Sequence, residues 1–310
     1  MANRLAALAP LFVAPFILAS GLARADVAVE RTKSGAVVTL DGQPFAEYLV
    51  RSGSKPVVWP LIGPMGKPLT RHYPMASAAG ESSDHPHHRS LWFSHGQVNG
   101  VDFWLEGKNR GTIEHLEFAE INGGETATIA TRNSWKAPDG KEICQDRRRL
   151  IFGGGDDARW IDFTITIVAS NGPVSFGRTK EGTFGLRMAA TMRADKNGKI
   201  VNSEGQTDKA AWRQQAAWVD YSGPIDDETF GVAVFNHPSS FRFPTYWHVR
   251  TYGLFAANPF MKEGHTLAAG ESLTLRYRVY LHRGDTKQGE VIEVYQADCP
   301  SSAGLYQLAA

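Results

Sequence analysis

The sequence predicts an all-β protein built as a large antiparallel β-sandwich with few short helices. Segments in which apolar and polar residues alternate recur along the chain, whereas helical periodicity is almost absent. The 31 Gly and 16 Pro residues punctuate these segments, as in proteins whose short strands are joined by turns. Strands of this kind each bury one apolar face, and two sheets packed face to face bury both sets.

The alternation is clearest in two segments, Trp160–Ile167 and Leu273–Leu281. In the first, isoleucine and phenylalanine alternate with aspartate and threonine, and the second follows the same rule. A period of two is typical of a half-buried antiparallel strand. Further predicted strands, in chain order, are Val27–Glu30, Ala36–Leu40, Phe45–Val50, Ile113–Ile121, Thr126–Trp135, Ile143–Phe152, Thr183–Met192 and Phe230–Asn236.

Tight turns and one helix complete the predicted elements. Asp41-Gly42, Asn122-Gly123 and Asn197-Gly198 lie between predicted strands, and such pairs favour hairpin turns. Only Gly289–Ala297 has a helical pattern, so we predict a short helix there. Because no internal repeat or linker divides the chain, we predict a single domain over residues 26–310.

The first 25 residues are predicted to be a secretory signal peptide. Arg4 gives a positive start, an uncharged apolar run follows from Leu5 to Leu22, and a small-residue exit ends at Ala25. The prolines within the run and its short apolar core favour cleavage near Ala25/Asp26 over a membrane anchor. We therefore expect a periplasmic or secreted protein.

Composition bears on the partners of the mature chain. Loss of Arg4 and Arg24 with the signal peptide changes the formal net charge from +1 to −1, which favours neither nucleic acid nor anionic membrane. No later segment has the roughly eighteen uninterrupted apolar residues of a spanning helix. Cys144 and Cys299 are the only cysteines, and either a disulfide or two buried thiols fits them. The oligomeric state is left open.

Two long stretches interrupt the strand pattern. Residues 59–104 contain the sequence Asp-His-Pro-His-His-Arg at 84–89, and residues 236–260 contain two histidines among aromatic residues. Long loops on a rigid β scaffold commonly carry binding and catalytic residues. Aromatic faces beside fixed polar groups suit a sugar ring, so we predict a small-molecule carbohydrate as partner.

The histidines of the first stretch allow three interpretations. His85 and His87 would point to one side of an extended segment and, with His95, could hold a divalent metal. The second interpretation is proton transfer or hydrogen bonding to substrate. In the third, the imidazoles satisfy buried carbonyl groups around Pro86. Arg89 and the absence of a cupin-like glutamate disfavour the metal, so no cofactor is predicted and a divalent metal is the alternative.

Acid–base chemistry needs a proton donor and a base. His88 or His237 is the predicted donor. Glu181 is the predicted base, because it lies beside a glycine at a strand entrance, where a ligand can approach closely. An ion pair of Glu181 with Lys180 or Arg187 is the structural alternative.

The remaining predicted site residues would hold the substrate. Arginine offers a planar fork, aromatic rings offer a stacking surface and short polar side chains bind hydroxyl groups. Trp247, which adjoins a histidine, is the predicted stacking platform. Surface positions for the arginines and core positions for several aromatics are the alternatives. The predicted substrate-binding residues are Arg71, His87, Arg89, Trp92, Asn99, Asp102, Glu204, Trp247, His248 and Tyr252.

Four segments of the chain are distinctive: DHPHHRSLWFSHGQVNGVDFW, TKEGTFGLRMA, NSEG and HPSSFRFPTYWHVRTYGLFAANPF. They resemble an exported bacterial family of unknown function that is often labelled the methane oxygenase A-subunit family. We reject methane oxidation, because that A-subunit implies several spanning helices, which this chain lacks after its signal peptide. The resemblance implies a sandwich similar to the galactose mutarotase-like supersandwich, which sugar epimerases, lyases and glycosidase domains use.

The sequence thus predicts an exported carbohydrate-active protein that performs epimerisation, elimination or hydrolysis by acid–base catalysis. One alternative is a non-catalytic periplasmic sugar-binding protein. The other is a metal-dependent enzyme that uses His85, His87 and His95. The predicted site requires residues 85–95 and 237–258 to meet at one place that also contains Glu181.

Overall fold

The computed structural model describes residues 25–299, so the predicted signal peptide before Ala25 lies outside the described residues. The described chain forms mostly strands, with one α-helix, α1 (Val291–Asp298), and three short 3-10 helices at Pro64–Gly66, Ala190–Met192 and Asp208–Ala211. No helix between residues 25 and 299 has the length and apolar character needed to cross a membrane. The strands are β1 (Val27–Arg31), β2 (Gly35–Leu40), β3 (Gln43–Ser52), β4 (Lys55–Leu61), β5 (Leu91–His95), β6 (Thr112–Asn122), β7 (Ala127–Lys136), β8 (Glu142–Gly154), β9 (Ala158–Val168), β10 (Val174–Phe176), β11 (Gly182–Arg187), β12 (Lys199–Asn202), β13 (Trp218–Ile225), β14 (Glu228–Asn236), β15 (Tyr246–Val249), β16 (Leu254–Asn258), β17 (His265–Leu267) and β18 (Ser272–Arg283).

These strands form two large antiparallel sheets. The first sheet has the order β1-β2-β3-β4-β5-β11-β16-β15, and the second has the order β12-β13-β14-β18-β9-β8-β7-β6. The short strands β10 and β17 form a separate pair. All pairings are antiparallel. The predicted fold class, an all-β protein with a large antiparallel β-sandwich, is confirmed.

The two large sheets share one apolar core. On β9 the alternating residues Ile161, Phe163 and Ile165 are buried in it, as their period of two predicted. Phe163 meets Phe184 of the opposite sheet with ring centroids 4.8 Å apart. Burial of this continuous layer is the main favourable contribution to folding. Each sheet therefore has one face on the core and one outer face.

Most predicted elements are present in the structure. The turn at Asp41-Gly42 joins β2 to β3, and both residues have positive φ (50° and 74°), as a type I′ hairpin turn requires. The predicted helix at Gly289–Ala297 is present as α1. The strand predicted at Thr183–Met192 is too long, because β11 ends at Arg187 and a 3-10 turn follows.

The prediction that residues 59–104 and 236–260 are long loops is wrong in part. They contain β5 and β16, which flank β11 in the first sheet, and β15, the edge strand next to β16. Every residue of β5 and of β16 is buried, because both faces of the first sheet are covered there. Burial on both faces removes the alternation from which a strand is inferred. The two stretches consequently lie in one sheet, on either side of β11.

The two cysteines lie in different places. Cys144 on β8 is buried in the core between the sheets, whereas Cys299 packs in a smaller cluster between α1 and the second sheet. No disulfide joins them. Burial raises the pKa of the Cys299 thiol to about 11, so at neutral pH it is protonated.

Candidate functional site

One row of side chains crosses the outer face of the first sheet, the face that points away from the second sheet. Val57 on β4 pairs with Trp92 on β5, which pairs with Gly185 on β11. Gly185 pairs with Ala256 on β16, which pairs with His248 on β15. Residues directly opposite one another in antiparallel strands share a face. The register therefore brings Trp92 and His248, from the two distinctive stretches, onto one surface.

Gly185 leaves the space that Trp92 occupies. A Cβ atom at residue 185 would lie 2.6 Å from the indole ring of Trp92, closer than real Cβ contacts allow. Glycine at this position therefore permits the indole to lie across β11. This is the local reason why the ring of a β5 residue extends towards the strands of the second stretch.

Residues 62–90 form a loop over this surface, and Arg71 organises it. The buried Arg71 guanidinium donates to Asp84 Oδ1 at 2.6 Å and to the carbonyl oxygens of His85 and His88 at 2.9 and 3.3 Å. Burial, followed by repulsion from the Arg187 guanidinium, lowers the pKa of Arg71 to about 10. Through these bonds within the loop, Arg71 supports the segment that carries His85 and His88.

Asp84 orients His85 at the surface of the site. Partial burial would raise the pKa of Asp84, but hydrogen bonds from Ser82 and His85 and the charges of Arg187 and Arg71 hold it well below its usual range. The ionised carboxylate can only accept, so Nδ1 of His85 donates to Asp84 Oδ2 at 2.7 Å. The His85 side chain is 41% exposed and its φ is +46°, a conformation that non-glycine residues adopt rarely. Such backbone strain often marks functional residues.

His88 lies beneath His85 and is held in one tautomer. Arg187 Nη1 donates to His88 Nδ1 at 3.1 Å, and because a guanidinium has no acceptor, the proton of the neutral ring is on Nε2. Burial, assisted by nearby positive charge, depresses the pKa of His88 far below its usual value. The ring stacks on Trp92 with centroids 5.4 Å apart. A neutral imidazole of this kind is a fixed hydrogen-bond donor, in contrast to the proton donor predicted from the sequence.

His248 is held in the opposite tautomer. Its Nδ1 donates to the carbonyl oxygen of Lys180 at 2.7 Å, so Nε2 of the neutral ring is an acceptor. Burial, with the charges of Lys180, Arg250 and Arg213, lowers the pKa of His248 to about 3. Its Nε2 is buried and has no hydrogen-bond partner among residues 25–299. A hydrogen-bond donor for this nitrogen has to come from outside the described chain.

Two indole groups beside His248 also have a buried nitrogen atom without a hydrogen-bond partner. The Nε1 atoms of Trp92 and Trp104 are buried and have no partner in the described chain. The Trp104 ring lies 5.2 Å from Trp92 and 6.5 Å from His248, centroid to centroid. Buried polar atoms are nearly always hydrogen-bonded, so such a group calls for a ligand or a bound water. We name Trp92, Trp104, His88 and His248 the aromatic floor.

Partly exposed residues surround this floor. Tyr252 stacks on His85 with centroids 5.4 Å apart. Burial raises the pKa of Tyr252, and the carboxylates of Glu181 and Asp84 contribute to the rise. Glu181 is 28% exposed and pairs with Lys180 at 2.6 Å, which was the structural alternative for this residue. The two distinctive stretches and Glu181 thus meet on one face of the first sheet.

Three further predicted binding residues contact other protein groups. Arg89 forms a two-bond pair with Glu106, at 2.8 and 2.7 Å. Asn99 bonds to backbone groups of the segment 173–175. Asp102 accepts a hydrogen bond from the backbone N–H of Trp104 at 2.8 Å and so positions that indole. Arg89 and Asp102 therefore support the segments that carry His88 and Trp104, whereas Asn99 links its turn to β10.

Three other predicted residues lie elsewhere. Trp247 is on the core side of β15, and its Nε1 donates to the Ala216 carbonyl oxygen at 2.9 Å. Glu204 is exposed in the turn after β12, in the second sheet. His237 follows β14 and lines a cavity of about 260 Å³ with residues of the second sheet, including Asp162. The structure does not bring these residues to the aromatic floor.

The three histidines considered for a metal are also separated. His95 is on the core side of β5, where its Nε2 donates to the Gly177 carbonyl oxygen at 2.8 Å and its ring meets Phe260. His85 and His87 are on the outer side, and burial lowers the pKa of His87 to about 4. Between residues 25 and 299, no three His, Cys, Asp or Glu side chains are placed together to hold a metal ion.

The structure adds site residues that the sequence did not assign. Asp84 stands next to His85 in the printed sequence, and this adjacency was the available signal for their pairing. Trp104 closes the first distinctive stretch. Arg187 lies in the distinctive segment TKEGTFGLRMA, which did not reveal its role, and Trp212 carries no local signal; register and folding bring them to His88 and to His248.

The fold and this site define a two-sheet β-sandwich with a polar and aromatic floor on one outer face. Residues 35–296 match a family of unknown function, DUF6807, and the chain belongs to this family. No curated protein matches the sequence.

Several solved structures are similar to the chain at low identity. An α-galactosidase from Lactobacillus brevis has 11% identity and a TM-score of 0.43 over 84% of this chain and 40% of its own, so this chain spans about two fifths of its length. A galactose mutarotase-like protein from Lactobacillus casei has 10% identity and a TM-score of 0.34, over 83% of this chain and 100% of its own. A putative aldose 1-epimerase from Escherichia coli K12 has 10% identity and a TM-score of 0.31, over 83% and 98%.

Proposed function

We propose that this protein, once exported, binds a carbohydrate over the aromatic floor and acts on it by acid–base chemistry. The reaction class is epimerisation, elimination or hydrolysis of a sugar or glycoside. His85 is the proton-transfer residue, and Glu181 is the partner carboxylate.

The unpartnered nitrogen atoms of the floor carry the proposal. Trp92 and Trp104 each present an unused N–H donor, and His248 presents an unused acceptor. A sugar hydroxyl both donates and accepts hydrogen bonds, so a polyhydroxyl ligand complements this mixed set. The aromatic rings beside these atoms suit the apolar face of a sugar ring.

The pairing of Asp84 with His85 supports the catalytic part. A carboxylate on Nδ1 fixes the orientation of the imidazole and leaves Nε2 as the atom that exchanges a proton. His85 is partly exposed, whereas burial lowers the pKa of His88 and of His248, so those two rings stay neutral and do not supply a proton. His88 and the indoles then act as fixed donors that position the substrate.

The test uses the purified protein, a panel of sugars and glycosides, and variants His85→Ala and Glu181→Gln. We expect each variant to lower turnover by about 10²-fold or more, because positioned acid–base groups contribute 10²- to 10⁴-fold. His237→Ala is the matched control, since His237 lies on the second sheet, and its turnover should equal that of the wild type.

Two results would contradict the proposal. Turnover that survives both His85→Ala and Glu181→Gln would remove acid–base catalysis at this site. Sugar binding without turnover across the panel would leave a sugar-binding protein. Metal analysis of the same preparation tests the remaining alternative, a divalent ion that His87→Ala releases.

A further inference from the structure

Arg250 lies between two aromatic rings at the edge of the aromatic floor. Its guanidinium carbon is 4.9 Å from the centroid of Trp212 and 5.6 Å from that of Tyr252. Arg213 lies over the same indole, at 5.4 Å. Stacking of this kind holds a guanidinium in place while its N–H groups remain available at the edges.

These two arginines differ from the other cations around the floor. Arg187 pairs with Asp84 at 3.1 Å, Lys180 with Glu181 at 2.6 Å, and Arg193 with Asp195 at 2.6 Å. Within the described chain, neither Arg213 nor Arg250 has a carboxylate within 4 Å. The edge of the floor therefore carries positive charge that the protein does not neutralise with a contacting carboxylate.

The unneutralised charge is next to the unpartnered nitrogen of the floor. The Trp212 ring lies 4.6 Å from the His248 ring, centroid to centroid, and the charges of Arg250 and Arg213 both act on His248. A ligand that reaches His248 Nε2 would therefore also lie near the two guanidinium groups.

We propose that the ligand of this site is an acidic sugar whose carboxylate binds Arg250, with Arg213 as a second contact. A carboxylate accepts two parallel hydrogen bonds from an arginine fork, and its charge is the one the site lacks. This inference rests on the proposed function, because it specifies the class of carbohydrate that the floor binds.

Binding calorimetry with matched pairs of sugars tests it. D-Galacturonate is compared with D-galactose, and D-glucuronate with D-glucose, since each pair differs only in the carboxylate. We expect at least one acid to bind about tenfold more tightly than its neutral counterpart, and Arg250→Gln to abolish this preference. Arg132→Gln, which removes an exposed arginine of the second sheet, should leave the preference unchanged. Galactose 6-sulfate shows whether another anion replaces the carboxylate.

The outcomes separate this inference from the proposed function. Neutral sugars that bind as tightly as the acids, in wild type and in Arg250→Gln alike, would overturn the acidic-sugar assignment and leave carbohydrate binding standing. No binding by any sugar would overturn both. If Arg250→Gln fails to fold, Arg250→Lys replaces it, because lysine keeps the charge but lacks the planar fork. This variant should retain part of the preference for the acidic sugar. An unchanged preference would contradict the two-bond contact.

Discussion

Two buried histidines, one on each sheet, differ in the hydrogen bonding of their ring nitrogen atoms. His248 on the first sheet uses only Nδ1 and leaves Nε2 without a partner in the described chain. His282 on the second sheet uses both nitrogens, because Nε2 bonds to Asp220 Oδ1 and Nδ1 to the Arg283 carbonyl oxygen, each at 3.1 Å. The two N–H groups of an imidazolium would satisfy both acceptors together, so this geometry favours the charged form of His282.

The environments of the two rings explain their opposite titration. Burial alone would lower the pKa of His282, but the charge and hydrogen bond of Asp220 outweigh burial and raise it. The second oxygen of Asp220 accepts from Thr286 at 2.6 Å, which ties this pair to the segment before α1. A histidine whose every polar atom is satisfied from within supports the fold, whereas one with an open atom beside open indoles indicates a ligand site.

The largest expected difference between the two histidines is in stability. His282→Gln leaves the buried Asp220 without its cation, and we expect the free energy of unfolding to fall by about 3 to 5 kcal/mol. His248→Gln removes no charge partner, so its cost should be about 1 kcal/mol or less while sugar binding is lost. Urea unfolding of both variants and the wild type measures this. Equal losses of stability would refute the distinction between a structural and a ligand-binding histidine.

A matched pair of tryptophans gives the next largest effect. Trp135 Nε1 donates to the buried Asp146 at 2.7 Å, whereas Trp92 Nε1 has no partner in residues 25–299. Phenylalanine lacks this donor, so Trp135→Phe should lower the free energy of unfolding by about 1 to 3 kcal/mol more than Trp92→Phe. Trp92→Phe should instead weaken sugar binding by about tenfold.

The same two variants also test the floor directly. Denaturant unfolding gives the stability of each variant, and calorimetry on the same preparation gives its affinity for sugar. Trp135→Phe should lose more stability and keep its affinity, whereas Trp92→Phe should lose affinity. If Trp92→Phe costs as much stability as Trp135→Phe, its N–H has a partner within the protein, and the floor loses its main evidence for a ligand.

Sequence reasoning predicted the second sheet better than the first. On β9 one face meets the core and the other is partly exposed, so alternation reveals the strand. On β5 and β16 every residue is buried, and apolar and polar residues occur together on the covered outer face. The candidate site covers the outer face of these strands, so both of their faces are buried. Without one exposed face there is no alternation from which the strands can be predicted.

The site residues, too, were predicted only in part from the sequence. Composition drew attention to the histidines at 85, 87 and 88, which do share one surface with His248 and Tyr252. It did not distinguish Trp92 from Trp247, which both lie in histidine-containing stretches but on opposite faces of their sheet. Side chains alternate between faces along a strand, so the register decides which residue reaches the site.

The smallest expected effect is the pH dependence of stability, and its sign differs between the two histidines. His248 has a folded pKa of about 3, below its usual value of about 6.5, so the unfolded chain binds more protons between these limits. Its contribution to stability is therefore present above about pH 6.5 and is lost as the pH falls. His282 has a raised folded pKa, so its contribution is present below about pH 6.5 and is lost as the pH rises through that pKa.

Free energies of unfolding measured across this range should separate the two contributions. His282→Gln should flatten the decline of stability on the alkaline side, because one group accounts for up to about 1.4 kcal/mol per unit of pKa shift. His248→Gln should make the acid side only slightly shallower, because burial also lowers the pKa of His87 and His95, to about 4 in each case. An alkaline side that is unchanged in His282→Gln would mean that the ring is neutral in the folded protein. The contrast with His248 would then rest on hydrogen-bond geometry alone.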